Sequence, residues 1–157
     1  MGVEIERKFL VQDESWRGLG EKVFLSQGYL SSDPDRIVRV RLQGEQAFLT
    51  IKGRAQGISR SEWEYSIPVD EAQAMLASLC TVRIEKWRHK IVIDGLLWEV
   101  DEFLGANAGL VVAEVELLSE TQEFNKPTWL GQEVSNDHRY ANSSLLKQPF
   151  STWPALG

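Results

Sequence analysis

Cysteine occurs once in this chain, at Cys80, so no internal disulfide can staple it. A single thiol inside an apolar stretch reads as a small buried hydrophobe in a reducing cytoplasm. Long hydrophobic runs are missing as well. The longest charge-free stretches, 72–82 and 103–113, fall far short of the about 20 apolar residues that span a bilayer, which excludes a membrane helix. Positive charge is scarce: 17 Lys and Arg stand against 23 Asp and Glu, for a net charge of −6, and no basic block offers the phosphate-neutralising footprint of a nucleic-acid-binding protein. The opening residues Met1-Gly2-Val3-Glu4-Ile5-Glu6 carry acids where a secretory signal has a basic and then an apolar region, which argues against export. The expectation is a soluble cytoplasmic protein with neither nucleic acid nor membrane as partner.

What remains is a globular composition. The 157 residues, 43% hydrophobic and 25% charged, suit one domain over residues 1–157. A domain of that size buries about 70% of its unfolded surface. The dominant pattern is alternation with period two, which sends successive side chains to opposite faces of a strand. In 3–9, Glu4, Glu6 and Lys8 share one face while Val3, Ile5, Arg7 and Phe9 share the other. Arg39 and Arg41 oppose Val38, Val40 and Leu42 in the same way, and Thr50 and Lys52 oppose Leu49 and Ile51. Glu62 and Glu64 alternate with Trp63 and Tyr65; Lys86, Arg88 and Lys90 alternate with Trp87, His89 and Ile91. Glu99 and Asp101 oppose Trp98 and Val100, and Glu114 and Glu116 oppose Val115 and Leu117. With 22–30 as a further apolar candidate, about eight strands are expected. Gly44-Glu45 and Asp94-Gly95 read as hairpin turns.

Helices are fewer. The clearest spans 71–80, with Asp70 as its N-cap, Gln73 completing a capping box, and Met75, Leu76 and Leu79 as its apolar face. A second begins near Asn142 and stops before Pro149. The polar stretch 53–61 reads as a mobile connection between strands. The fold class is therefore α+β, strand-dominated.

The strand faces are unusually sorted by charge. Glu-x-Glu occurs at Glu4/Glu6, Glu62/Glu64 and Glu114/Glu116, while Arg39 pairs with Arg41 and Lys86 with Arg88. The opposite faces hold Trp63, Trp87, Trp98, Ile5, Phe9 and Val115, too much apolar area to leave in water, so the core belongs on that side. A barrel closed on itself resolves the conflict: alternate residues enter a wet lumen, and helices cover the outer apolar face. Clustered carboxylates bind hard divalent cations through oxygen, and Arg and Lys match phosphate oxygens. A metal-bound polyphosphate satisfies both sets at once.

These residues carry a resemblance. Glu4-Ile5-Glu6-Arg7-Lys8 resembles the amino-terminal Glu-x-Glu-x-Lys signature of the CYTH family, the triphosphate tunnel metalloenzymes. The similarity continues through Gln27-Gly28-Tyr29-Leu30, Val38-Arg39-Val40-Arg41, Thr50-Ile51-Lys52-Gly53, Glu62-Trp63-Glu64-Tyr65, Glu85-Lys86-Trp87-Arg88, Trp98-Glu99-Val100-Asp101, Glu114-Val115-Glu116-Leu117 and 129–134. The resemblance implies an eight-stranded antiparallel β-barrel, or tunnel, with flanking helices, that hydrolyses or cyclises a triphosphate with Mg²⁺ or Mn²⁺. Glu4, Glu6, Glu114 and Glu116 are then candidate metal ligands; Glu62, Glu64 and Asp101 either hold a second ion or orient the basic residues. Arg39, Arg41, Lys52, Arg88 and Arg139 are candidate phosphate clamps. Lys8, Lys86 and Tyr29 are candidates for the chemical step, the lysines by neutralising charge or, with a lowered pKa, by assisting proton transfer. The expected reaction is hydrolysis of inorganic tripolyphosphate to pyrophosphate and phosphate. A class IV adenylate cyclase, a nucleoside or thiamine triphosphatase, and a non-catalytic polyphosphate-binding module stay open as alternatives, as does a homodimer.

Overall fold

The computed structural model describes residues 2–154. Its strands are β1 (Gly2–Val11), β2 (Glu21–Asp33), β3 (Arg36–Gln43), β4 (Gln46–Gly53), β5 (Ser59–Ser66), β6 (Ile84–Ile93), β7 (Leu96–Phe103), β8 (Val111–Glu116) and β9 (Leu130–Glu133). Two α-helices accompany them, α1 (Val69–Leu79) and the single turn α2 (Asn142–Leu145). All strand pairings are antiparallel, in the order β5-β4-β3-β2-β6-β7-β8-β1-β9, and β5 also pairs with β1. The first eight strands therefore close into a barrel. The short β9 adds to the C-terminal half of β1.

The expected hairpins form where the backbone can turn. Asp94 and Gly95 both adopt positive φ (52° and 77°), as a two-residue primed turn demands, and Gly44 does so (57°) between β3 and β4. The stretch 53–61 is less of a loop than its composition suggests. Gln56 and Ser59 bridge each other, and β5 begins at Ser59.

Closure puts one face of every strand inside the barrel and the other outside, where three apolar clusters form the core. The first surrounds Trp98, which is fully buried and meets Phe9, Phe124 and Trp129 at ring-centroid distances of 6.0, 5.5 and 5.7 Å. Each such aromatic contact adds about 0.5–1.5 kcal/mol beyond its buried area. The second joins Ile84, Phe103 and Val112 to Tyr140 and Leu145, so the C-terminal segment is fastened onto the wall. In the third, α1 lays Ala72 and Leu76 on Val40 and Ala47. Gly28 permits that approach: a Cβ there would lie 2.7 Å from Cys80 Sγ and 2.9 Å from Leu76 Cδ2.

Several expectations change at this level. The helix starts at Val69 with Pro68 at its cap, so Asp70 lies in the first turn and makes no capping bond. Leu79 is exposed; Ala72 takes the inward place instead. Trp63 and Trp87 are only half-buried, and Trp87 packs edge-on against Phe24 at 5.3 Å.

Candidate active site

Strand register decides which charges meet inside the barrel. Arg39 lies opposite Thr50, Thr50 opposite Glu64, and Lys52 opposite Glu62. Arg88 faces Asp101, Glu99 faces Glu114, Glu114 faces Lys8, and Glu116 faces Glu6. The resulting cavity, about 290 Å³, is lined by seven acidic and seven basic side chains together with Tyr29, Gln43, Thr50, Asn142 and Ser143. Acidic residues come mainly from β1, β5, β7 and β8, and basic ones mainly from β3, β4 and β6. Of the expected site residues, Glu4, Glu6, Lys8, Tyr29, Arg39, Arg41, Lys52, Glu62, Glu64, Lys86, Arg88, Glu114 and Glu116 all reach this lining.

Two expected residues do not. Asp101 is buried behind the basic wall and out of the lining: it accepts from Arg88 Nε at 2.8 Å and pairs with Lys86 Nζ at 2.7 Å. Its oxygens are occupied by cations of the protein, which fits the orienting role and leaves it unsuited to hold a second ion. Arg139 sits outside the cavity, half-exposed. Its guanidinium is bound to Asp137 at 2.7 Å and lies over the rings of Tyr140 and Trp153, a position set by the one-turn helix 138–140. It lies apart from the other candidate clamp residues.

The acidic side shows the strain of like charges. Glu6 is pushed well above the usual carboxylate range by burial, then by the Glu114 and Glu4 charges. Glu4 is raised by burial and by its proximity to Glu62, although Lys52 Nζ reaches both of its oxygens at 3.0 Å. Glu116 is raised by burial and by Glu4 and Glu99. Glu114 goes the other way: burial would raise it, but the cations, Lys8 first among them, bring it down to about 2. The donor set is all oxygen and carries more negative charge than its lysines cancel, which suits a hard divalent cation. Among the described residues no three acidic side chains already enclose an ion, and Glu4 is engaged by Lys52. Glu64 is directed elsewhere, accepting from Thr50 Oγ1 at 3.1 Å and lying 3.9 Å from Arg39.

The chemistry of the basic side suits an anion. Arg39 is buried, yet its Nε has no hydrogen-bond partner among the described residues. Such a donor inside a protein is costly unless something polar meets it. Arg41 gives its Nε to Gln27 Oε1 at 2.9 Å. Burial and the charges of Arg39 and Arg88 lower it to about 9, which leaves it charged at neutral pH. The two lysines separate. Burial lowers Lys86 to about 7, outweighing Asp101, with Arg88 and Arg41 adding to the effect. Lys8 is raised instead, because the Glu114, Glu6 and Asp101 charges outweigh its burial. Tyr29 lines the cavity, and its hydroxyl accepts from Gln27 Nε2 at 3.2 Å.

Thr50, Glu99, Arg60, Gln27 and Asn142 are among the lining or network residues that carry no sequence-level assignment. Thr50 and Glu99 were findable, since they alternate in phase with Lys52 and Asp101. Gln27 and Asn142, joined to each other at 3.3 Å, are neutral and lie 115 residues apart, so neither charge nor spacing marks them.

Comparison with known proteins agrees with this architecture. The CYTH domain matches residues 2–148. An inorganic triphosphatase of Acetivibrio thermocellus is 49% identical over 154 residues, covering 98% of this chain and 99% of the relative. An inorganic triphosphatase of Nitrosomonas europaea is 42% identical over 146 residues, covering 90% and 95%. A crystal structure of an inorganic triphosphatase superposes with a TM-score of 0.66 at 37% identity, covering 99% of both chains.

Proposed function

The chain belongs to the CYTH domain family, and on that footing we propose that it hydrolyses inorganic tripolyphosphate to pyrophosphate and phosphate in the barrel lumen, with a divalent metal ion, Mg²⁺ or Mn²⁺. The observation that carries this reading is the sorted lining: one cavity holds an over-charged carboxylate cluster beside a wall of Arg and Lys. A polyanion without metal would be repelled by the first, and a metal without polyanion would leave the second uncompensated.

Glu4, Glu6, Glu114 and Glu116 would hold the ion. When bound, it neutralises non-bridging oxygens and polarises the phosphoryl group. Arg39, Arg41, Lys52 and Arg88, all in the cavity lining, grip the remaining oxygens. Positioning and electrostatics of this kind do most of the work in phosphoryl transfer. Asp101 and Glu64 hold the basic side chains in place.

The lysines divide the labour. Lys8, kept charged by Glu114 at 3.7 Å, neutralises. Lys86, lowered to about 7, serves as proton acceptor. A neutral amine donates two N–H bonds, and Asp101 Oδ2 (2.7 Å) and Asn142 Oδ1 (2.8 Å) take both, leaving the lone pair for a cavity water. That water attacks a terminal phosphorus, its proton passes to Lys86 Nζ, and the bridging P–O bond breaks to release pyrophosphate. Phosphate release from tripolyphosphate tests the reading: turnover with Mg²⁺ or Mn²⁺ and none in excess chelator is expected, whereas binding without turnover under every metal condition would make the barrel a polyphosphate-binding module.

A further inference from the structure

The polarity of one buried hydrogen-bond chain can be read without ambiguity. A guanidinium donates and never accepts, so the Gln27 atom 2.9 Å from Arg41 Nε is its oxygen. The other end of that carboxamide is then its NH₂, which faces the Tyr29 hydroxyl at 3.2 Å and Asn142 at 3.3 Å. The Asn142 atom that meets it must accept, and is therefore Oδ1. The same Oδ1 accepts from Lys86 Nζ at 2.8 Å. Gln27 and Lys86 are almost completely shielded from solvent, at 0% and 1% exposure, so this orientation is locked from the barrel side.

Asn142 is left with its own NH₂ unused. Its side chain lines the cavity, and Nδ2 has no protein hydrogen-bond partner among the described residues. The residue stands at the start of α2, held by Leu145 packing in the outer cluster with Ile84 and Phe103. Lys8 Nζ lies 3.4 Å from the carbonyl of Tyr140 in the same segment. The C-terminal segment is thus tied to the lumen through two cavity lysines.

We infer that Asn142 contacts the substrate, its Nδ2 donating to a phosphoryl oxygen of bound tripolyphosphate while its Oδ1 holds Lys86 and Gln27 in position. The inference rests on the function proposed above. A neutral donor suits this place. Arg41 and Arg88 already crowd positive charge there, and a carboxamide adds a hydrogen bond to the anion without adding to that repulsion.

Steady-state kinetics with tripolyphosphate on Asn142→Ala and Asn142→Asp, alongside thermal melts, test the inference. Aspartate keeps nearly the same shape and the acceptor that Gln27 and Lys86 need, but replaces the donor with an acceptor and adds a charge that raises the Lys86 pKa, so kcat/KM is compared at a pH where it has levelled for each variant, which leaves the loss of the donor as the difference. A hydrogen bond to a charged oxygen accounts for about 10- to 100-fold in an equilibrium or rate ratio. Asn142→Asp is expected to melt within a few degrees of wild type and lose more than about tenfold in kcat/KM, and Asn142→Ala to lose about tenfold. If Asn142→Asp matches wild type while Asn142→Ala is impaired, the residue is an acceptor for Lys86 and nothing more, and the inference is overturned. Wild-type kinetics for both variants overturn it equally. Should Asn142→Ala fail to fold, Asn142→Asp decides alone. Wild-type protein that does not hydrolyse tripolyphosphate in the same assay refutes the function itself, and the inference with it.

Discussion

Arg88 and Asp101 face each other across directly paired positions of β6 and β7 and are joined by two parallel hydrogen bonds, Nε to Oδ1 at 2.8 Å and an Nη donor to Oδ2 at 2.9 Å. Lys86 adds a third cationic contact to the same carboxylate. Burial would raise the pKa of Asp101, but these two cations hold it below the usual carboxylate range. The pair is a fixture of the basic wall: it anchors one candidate clamp residue and one candidate proton acceptor to a single buried charge.

Asp101→Asn should therefore act first on stability. Removing one member of a buried charge cluster leaves the others uncompensated, at a cost of about 3–5 kcal/mol. For a chain of this length that corresponds to a fall of roughly 10 °C in melting temperature. Calorimetry on the metal-free variant checks it, and an unchanged Tm would mean that Asp101 is not the counter-charge described.

The second prediction concerns pH. Lys86 must lose its proton to accept another, and its lowered pKa of about 7 places that change in the neutral range. Free-enzyme kcat/KM should rise with pH through about 7 and then level, since this ratio reports the essential groups of the free enzyme. Lys86→Met should abolish the rising limb with most of the activity. A kcat/KM that falls across the same interval would return Lys86 to the role of a charge-neutralising cation.

Metal binding should be visible in stability as well as in turnover. Because Glu4, Glu6 and Glu116 titrate above the ordinary carboxylate range, the folded protein holds protons there that the unfolded chain has already released. Raising the pH through that interval costs metal-free stability, and a divalent cation restores it. The gain in Tm on adding Mg²⁺ or Mn²⁺ should be larger at pH 8 than at pH 5.5, and Glu6→Gln should shrink it. A gain independent of pH and of Glu6 would place the ion elsewhere.

Much of this arrangement is legible in the chain because closure of a barrel preserves period-two alternation. Once Glu4, Glu6 and Lys8 share a face, and Arg39 shares one with Arg41, the register has only to bring those faces together. What alternation cannot show is whether a charge on the inner face is available to a ligand. Asp101 alternates in phase with Glu99, yet it is consumed by Arg88 and Lys86 because it lies opposite the first and beside the second. Arg139 lies beyond the alternating strands, and only the geometry around 138–140 reveals that Asp137 has claimed it. Gln27 and Asn142 escape for the opposite reason: they carry no charge, and their importance comes from a contact across 115 residues. Trp63 and Trp87 stand on the outer face in phase with the core residues, yet are only half-buried, because alternation gives the face of a residue and not what covers it.

The most direct test of the central claim compares tripolyphosphate with ATP in parallel, with Mg²⁺ and with Mn²⁺, following phosphate release and analysing for cyclic AMP. Arg39, Arg41, Lys52 and Arg88 line the lumen, and among the described residues that lining is mostly charged, with Tyr29 its one aromatic side chain. Tripolyphosphate can use the cationic wall at both ends, whereas ATP must leave its adenosine outside it. The expected result is a kcat/KM for tripolyphosphate at least about tenfold higher, equivalent to about 1.4 kcal/mol of transition-state binding, with no cyclic product. Equal or better efficiency with ATP would contradict the inorganic substrate, and cyclic AMP as the main product would make the protein a cyclase.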